Sequence, residues 1–298
     1  MTDAAQFDSY HSAPEPSAPA LHRAAERLGE LEQLDDAGEM LANAVKQVLP
    51  AGPVKDVLSG THLGHALHPL LSDVPIGTWT SALLLDLVGG EGAEDGADRL
   101  VGLGILASLP TIAAGLSDWA DTVGPDRRTG LVHAWANSAA LALFTASYAA
   151  RKGGRRRLGV TLGLAGGGAM GIGGFLGGHL SYARGVGVDT TAFAWPASEW
   201  TAVAAESDLV EGEPKTVDFA GIAALVTKLD GQVYAISNQC THRGGSLDGG
   251  EIDGACVTCP IHASVFRLDD GSVVRGPATA PQPTYDVRVK DGQVELKG

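Results

Sequence analysis

Four long apolar stretches dominate the middle of the chain. They run at about Pro69–Val88, Leu100–Ser117, Leu131–Ala150 and Leu158–Tyr182. Each approaches the ~18–20 apolar residues that a helix needs to cross a bilayer. The second holds no charge, and the last two carry only His133 and His179 as charged or imidazole groups. The first is the least regular, with Asp73, Pro75 and Asp86 inside it. In the last stretch Gly163, Gly167, Gly171, Gly174 and Gly178 recur at close to four-residue spacing. Small residues so placed let membrane helices approach closely, whereas in a soluble helix that much glycine is destabilising. The pattern therefore predicts a four-helix membrane bundle over residues 61–185.

On either side the pattern changes. Leu21, Leu28, Leu31 and Leu34 recur near helical spacing among charges, predicting one amphipathic helix from Leu21 to Leu49 within an acidic tail, residues 1–60. Its polar face is acidic rather than basic, which suits a solvated helix better than a membrane-surface one. Residues 11–20 are rich in Pro and Ser and read as disordered. The opening Met1–Asp8 has no basic region followed by an apolar core, so no signal peptide is expected there. Residues 186–198, with Gly187, Pro196 and Ala197, read as a linker. Beyond Glu199 the period falls to two. Thr216–Phe219, Gln232–Ile236 and Tyr285–Val289 alternate as strands, and Asp-Gly pairs at 230–231, 270–271 and 291–292 mark turns. The expected architecture is an α-helical bundle followed by an all-β domain over 199–298.

Charge sharpens this division. The net charge is −14. Residues 1–60 hold 4 basic and 10 acidic side chains, and residues 199–298 hold 8 and 15. The middle is close to neutral, so two water-facing parts flank something that is not. An acidic chain does not favour nucleic acid as a partner; membrane lipid is the expected surroundings of the middle. Residues 62–75, His-Leu-Gly-His-Ala-Leu-His-Pro-Leu-Leu-Ser-Asp-Val-Pro, and 177–189, Gly-Gly-His-Leu-Ser-Tyr-Ala-Arg-Gly-Val-Gly-Val-Asp, resemble a bacterial family of four-helix membrane proteins, domain of unknown function 2231. The resemblance implies a multi-pass protein of the bacterial cell membrane and supplies no activity. Orientation is unresolved. Arg99 and the loop Arg151–Arg157 put six basic residues on one side against Lys55, Arg127, Arg128 and Arg184 on the other, which would place the termini outside the cytoplasm. The sixty-residue acidic tail without a signal peptide argues for the reverse.

If four crossings alternate, His62, His65, His68, Asp73, Asp118, His133 and His179 fall on one membrane face. Ionisable groups at such depth are costly and usually functional. Three readings stand: hydrogen-bonded interfacial histidines, axial ligands of a b-type haem, or a quinone or metal pocket. For haem, His133 and His179 are the candidates, with His65 or His68 in reserve.

The densest chemistry lies near the C-terminus. Cys240 and His242 form a Cys-x-His pair, Cys259 and His262 a Cys-x-x-His pair, and sixteen residues separate them. Two thiolates and two imidazoles in this order suit a [2Fe-2S] cluster; a Cys2His2 zinc site is the alternative. The flanks read Cys-Thr-His-Arg-Gly-Gly (240–245), Cys-Pro-Ile-His-Ala-Ser-Val-Phe (259–266) and Gly-Pro-Ala (276–278). These resemble the Rieske iron–sulfur family over roughly 198–298. The resemblance implies that Cys240 and Cys259 hold the inner iron and His242 and His262 the outer one. It makes Pro277 part of a covering loop and Ser264 a donor to cluster sulfur. Quinol-oxidising members carry an extra Cys in each cluster loop, joined as a disulfide; here those positions are Gly245 and Ile261. Phe266 replaces a Tyr that donates to the cluster. Fewer donors imply a low-to-middle potential within the family's roughly −150 to +300 mV. Cys256 reads as a packed small side chain on the strand entering the second loop.

The expected function is a membrane-anchored one-electron carrier, ferredoxin-like, serving a reductase, oxygenase or respiratory complex as redox partner. It is expected to be an electron-transfer component rather than an enzyme by itself, so no catalytic residue is assigned. The 36 residues after His262 hold no histidine, so no two-His-one-carboxylate iron site of an oxygenase is expected. A quinol-oxidising subunit and a redox-sensing membrane protein are the alternatives.

Overall fold

The computed structural model describes residues 18–298. The opening segment scanned for a signal peptide, and the Pro- and Ser-rich stretch up to 17, lie outside the described residues. Seven α-helices come first: α1 Ala20–Gly29, α2 Asp35–Val48, α3 Pro53–Ser59, α4 Leu67–Val88, α5 Glu94–Trp119, α6 Gly124–Lys152 and α7 Arg156–Gly178, the last continuing into a π-helical turn, His179–Ala183. Ten strands follow. The chain divides into two compact units: residues up to 46 with 71–186, and 47–70 with 187–298.

In the first unit, the single helix expected from Leu21 to Leu49 is broken at 30–34, with a 3-10 turn at Glu32–Leu34. The break is pinned from outside. Arg128 Nη1 donates to the Gly29 carbonyl at 2.9 Å, and its Nε and Nη2 grip the two oxygens of Asp35 at 2.6 Å each. The fork thus ties the end of α1 to the start of α2.

The four apolar stretches all become long helices, α4 to α7. Two spans among the described residues, Glu94–Trp119 and Arg156–Ala183, are long and apolar enough to cross a membrane. In them only 33% and 22% of the apolar window is buried, and Leu103, Leu106, Leu109 and Ile172 are exposed. The core of the unit is small. Trp79 of α4 stacks on Phe144 of α6 with centroids 4.2 Å apart, and Ala82, Ala97 and Val101 close around them. Such a stack adds about 0.5–1.5 kcal/mol beyond its buried area.

One end of these helices holds a buried ionic cluster. The Arg151 side chain is fully buried; its Nη1 lies 2.9 Å from Asp86 Oδ1 and 3.2 Å from Asp98 Oδ1, and its Nε donates to Ser147 Oγ at 3.1 Å. Arg156 Nη2 donates to Asp86 Oδ1 at 2.8 Å, and its Nε meets Glu94 at 2.8 Å. Two of the arginines that a count of loop charges treats as free are therefore neutralised by carboxylates.

The second unit is a small antiparallel β-domain joined by α3. Its strands are β1 Thr201–Ala205, β2 Lys215–Phe219, β3 Ile222–Leu229, β4 Gln232–Ser237, β5 Glu251–Asp253, β6 Cys256–Thr258, β7 Val265–Arg267, β8 Val273–Arg275, β9 Asp286–Lys290 and β10 Gln293–Lys297. They form sheets ordered β1-β10-β9, β2-β3-β4 and β5-β6-β7-β8. The Asp-Gly turns fall where the alternation put them. Asp230-Gly231 and Asp291-Gly292 both take positive φ, the backbone of tight two-residue hairpins. One core packs Phe219, Val226, Val294 and Leu296; the other packs Leu225, Ile236, Leu247 and Phe266 around Cys240 and Cys259.

Candidate metal centre

Two loops of the β-domain bring the four sequence-predicted ligands together. The first follows β4. Cys240 N–H donates to the Gly245 carbonyl and Gly244 N–H to the Cys240 carbonyl, each at 2.8 Å, so the loop folds back on itself at the first ligand pair. The second joins β6 to β7. Cys259 N–H donates to the Ser264 carbonyl at 2.8 Å and Ala263 N–H to the Cys259 carbonyl at 3.0 Å. Both loops present a cysteine at the base and a histidine above it. Cys240 and Cys259 are 1% and 2% exposed and within hydrogen-bonding reach of each other. The rings of His242 and His262 lie edge to face with centroids 4.9 Å apart.

The electrostatics suit metal ligation. The Cys240 thiol and the amides of Ile261 and His262 stabilise the Cys259 thiolate and push its pKa down to about 6, while the same pairing and burial push Cys240 up. A first thiolate forms readily and a second needs a cation beside it. Burial holds His242 well below the ordinary imidazole value, helped by His262, Arg243 and Lys55. The ring is thus neutral, as a ligand must be. His242 Nδ1 is buried without a hydrogen bond. An imidazole nitrogen buried without a hydrogen-bond partner suits a metal ligand better than a structural histidine. The donor set and this orphan fit a [2Fe-2S] cluster held by Cys240, Cys259, His242 and His262.

The surroundings place the other expected residues. Ser264 is fully buried and its Oγ accepts the Ala278 N–H at 2.9 Å, so its own proton remains to be donated. Pro277 stands between Gly276 and Ala278 in the loop so tethered. Phe266 is fully buried in β7. A Cβ on Gly245 would lie 2.5 Å from Ile261 Cδ1: the two positions expected to carry a disulfide in quinol oxidisers do face each other, and an isoleucine methyl occupies the space. Cys256 is a free, half-buried thiol at the start of β6.

Two supports were not legible beforehand. Gln282, 2% exposed between two prolines, accepts from Thr241 N–H at 3.2 Å and donates to the carbonyls of Ser237 and Gln239 at 2.8 and 2.6 Å. Asp56 of α3 accepts the Gly276 N–H at 3.0 Å, holding the covering loop. Neither lies in a motif. For Gln282 the one signal was an amide side chain flanked by Pro281 and Pro283.

The histidines of the apolar region divide between the two units. His62, His65 and His68 belong to the unit with the β-domain, where His65 Nδ1 donates to the Ala66 carbonyl at 3.0 Å. His133 and His179 belong to the helical unit with separate partners. His133 Nδ1 donates to the Gly173 carbonyl at 2.8 Å, and Asn137 Nδ2 donates to the His133 carbonyl at 3.0 Å. His179 Nε2 lies 2.8 Å from Glu26 Oε1. The haem expectation is not supported. Helices α6 and α7 are in such close contact that a Cβ on Gly177 would be 3.1 Å from the His133 ring, which leaves no slot for a porphyrin there.

Comparison with known proteins matches both parts of the chain. The family model for the Rieske [2Fe-2S] domain matches residues 199–286, and that for a predicted membrane protein, DUF2231, matches 64–190. Ferredoxin CarAc of Metapseudomonas resinovorans is 36% identical over 100 residues, which are 33% of this chain and 94% of that protein. The 3-phenylpropionate/cinnamic acid dioxygenase ferredoxin subunit of Escherichia coli K12 is 38% identical over 89 residues, 30% of this chain and 83% of that one. Among solved structures, the ferredoxin of carbazole 1,9a-dioxygenase from Nocardioides aromaticivorans IC177 is 30% identical, covering 34% of this chain and 98% of that one, with a TM-score of 0.33.

Proposed function

This chain belongs to the Rieske [2Fe-2S] family, carrying a DUF2231 domain in the same polypeptide, and from that premise we propose that it is a membrane-anchored one-electron carrier feeding an oxygenase or comparable acceptor. The observation that carries the reading is the convergence of two buried thiols and two imidazoles, with the buried Nδ1 of His242 left without a partner. A [2Fe-2S] cluster supplies reversible one-electron chemistry with no bond made or broken in a substrate. Cys240 and Cys259 seat the inner iron in the apolar core and keep water from it. His242 and His262 would hold the other iron, on the less buried side of the site.

The Escherichia coli relative is the ferredoxin subunit of a dioxygenase, and the β-domain here covers most of the length of that protein and of ferredoxin CarAc. Contact between Gly245 and Ile261, in place of a disulfide, favours this reading over quinol oxidation. Anchoring in lipid rests on α5 and on α7 with its π turn, whose exposed leucines and isoleucine are poorly suited to water. The deciding experiment is optical and EPR spectroscopy of detergent-purified protein, followed by reduction with a ferredoxin reductase and re-oxidation by an oxygenase. A rhombic [2Fe-2S] signal that cycles with the partners is expected. Zinc in place of iron and acid-labile sulfide would overturn the assignment.

A further inference from the structure

A second constellation of ligand atoms lies in the helical unit, on residues to which no role has been given. His22 and Glu26 stand one turn apart on the same face of α1, and His179 opens the π-helical turn after α7. One ligand atom from each lies within 4.8 Å of the other two. The His22 and His179 rings meet edge to face with centroids 5.1 Å apart.

Three observations set this group apart from an ordinary ion pair. His179 is 6% exposed, and its Nε2 lies 2.8 Å from Glu26 Oε1. Glu26 is oriented from behind: Arg184 Nη1 holds its other oxygen, Oε2, at 3.0 Å, and Arg184 Nε holds Asp126. That is the outer support ligating carboxylates usually have. Glu26 and Asp126 together outweigh Arg184, so the site keeps a net negative charge. Beside the two imidazoles opens a cavity of about 380 Å³, lined by His22 and His179 with Gly174, Phe175 and Tyr182, with room for a fourth, exchangeable ligand.

We propose that His22, Glu26 and His179 bind one divalent transition-metal ion, zinc in preference by donor type, clamping α1 to the end of α7. Two imidazoles and one carboxylate with an open fourth position form a donor set that zinc accepts, and one that magnesium and calcium, which take oxygen, do not. The site uses none of the cluster ligands.

The test is cobalt(II) titration of the full-length, cluster-loaded protein in detergent, with metal analysis. Wild type takes up one equivalent of cobalt, with visible d–d bands that zinc abolishes by displacement. His22→Ala loses that equivalent while the [2Fe-2S] absorption stays intact. If His22→Ala also loses the cluster absorption, Glu26→Gln, which keeps size and shape, decides by the same measurement. Wild type binding no cobalt, or a folded His22→Ala or Glu26→Gln binding as much as wild type, overturns the proposal. Neither result depends on whether the cluster carries electrons.

Discussion

Single side chains set how firmly the metal centre is held. Gln282→Ala would strand Thr241 N–H and two carbonyls, each a buried group costing about 1–3 kcal/mol when left unpaired. The expected result is a cluster domain several degrees less stable in thermal melts followed by visible circular dichroism, with the potential little changed. Ser264→Ala acts differently. It removes the hydroxyl beside the cluster and the acceptor of Ala278 N–H. A lower midpoint potential is expected, measured by redox titration; an unchanged potential would mean that the serine proton does not reach a sulfur. The four candidate ligands stand out in the sequence because metal ligation asks for fixed residue types at a spacing of a few residues. Gln282 and Asp56 do not, since each acts on groups tens to hundreds of residues away and leaves no local pattern.

Among elements, the helices were legible in position and less so in character. Length and apolarity located α4 to α7, and two of the four are long and apolar enough to cross a membrane. The break between α1 and α2 escaped the periodicity because a distant arginine makes it. The same distance effect hid the ionic cluster: Arg151 reads as a loop cation and is fully buried against Asp86 and Asp98. Arg151→Met would leave buried carboxylates without their main partner, at a cost of about 3–5 kcal/mol. Thermal inactivation in detergent should fall sharply in temperature, and the double variant with Asp86→Leu should recover part of the loss. In the β-domain, Asp248 gives a pH signature. Hydroxyls of Ser246 and Thr216, with the Asn238 amide, hold its pKa below the usual carboxylate value. A group depressed in this way stabilises the fold above its unfolded pKa of about 3.9 and surrenders the contribution as pH falls through the folded value. Stability of the β-domain should therefore drop below about pH 4, and Asp248→Asn should flatten that part of the curve in urea melts.

For the molecule as a whole, the two compact units do not follow the order of the chain. Residues 47–70 pack with the β-domain although 71–186 intervene. A fragment beginning at 199 is expected to load iron but to lose it faster than one in which 47–66 is joined through a flexible linker, as read by the decay of visible absorption at a fixed temperature. Equal decay rates would show that α3 adds nothing to the centre. This arrangement was beyond the reach of composition, which assigns residues 1–60 to one acidic tail.

The bond between Asp56 and Gly276 spans 220 positions. On the ribosome α3 emerges first and must wait for the loop it secures. At roughly 5–20 residues per second that delay is about 10–40 seconds, during which all four long helices are made. A nascent chain stalled before Gly276 carries α3 with its partner loop still unmade.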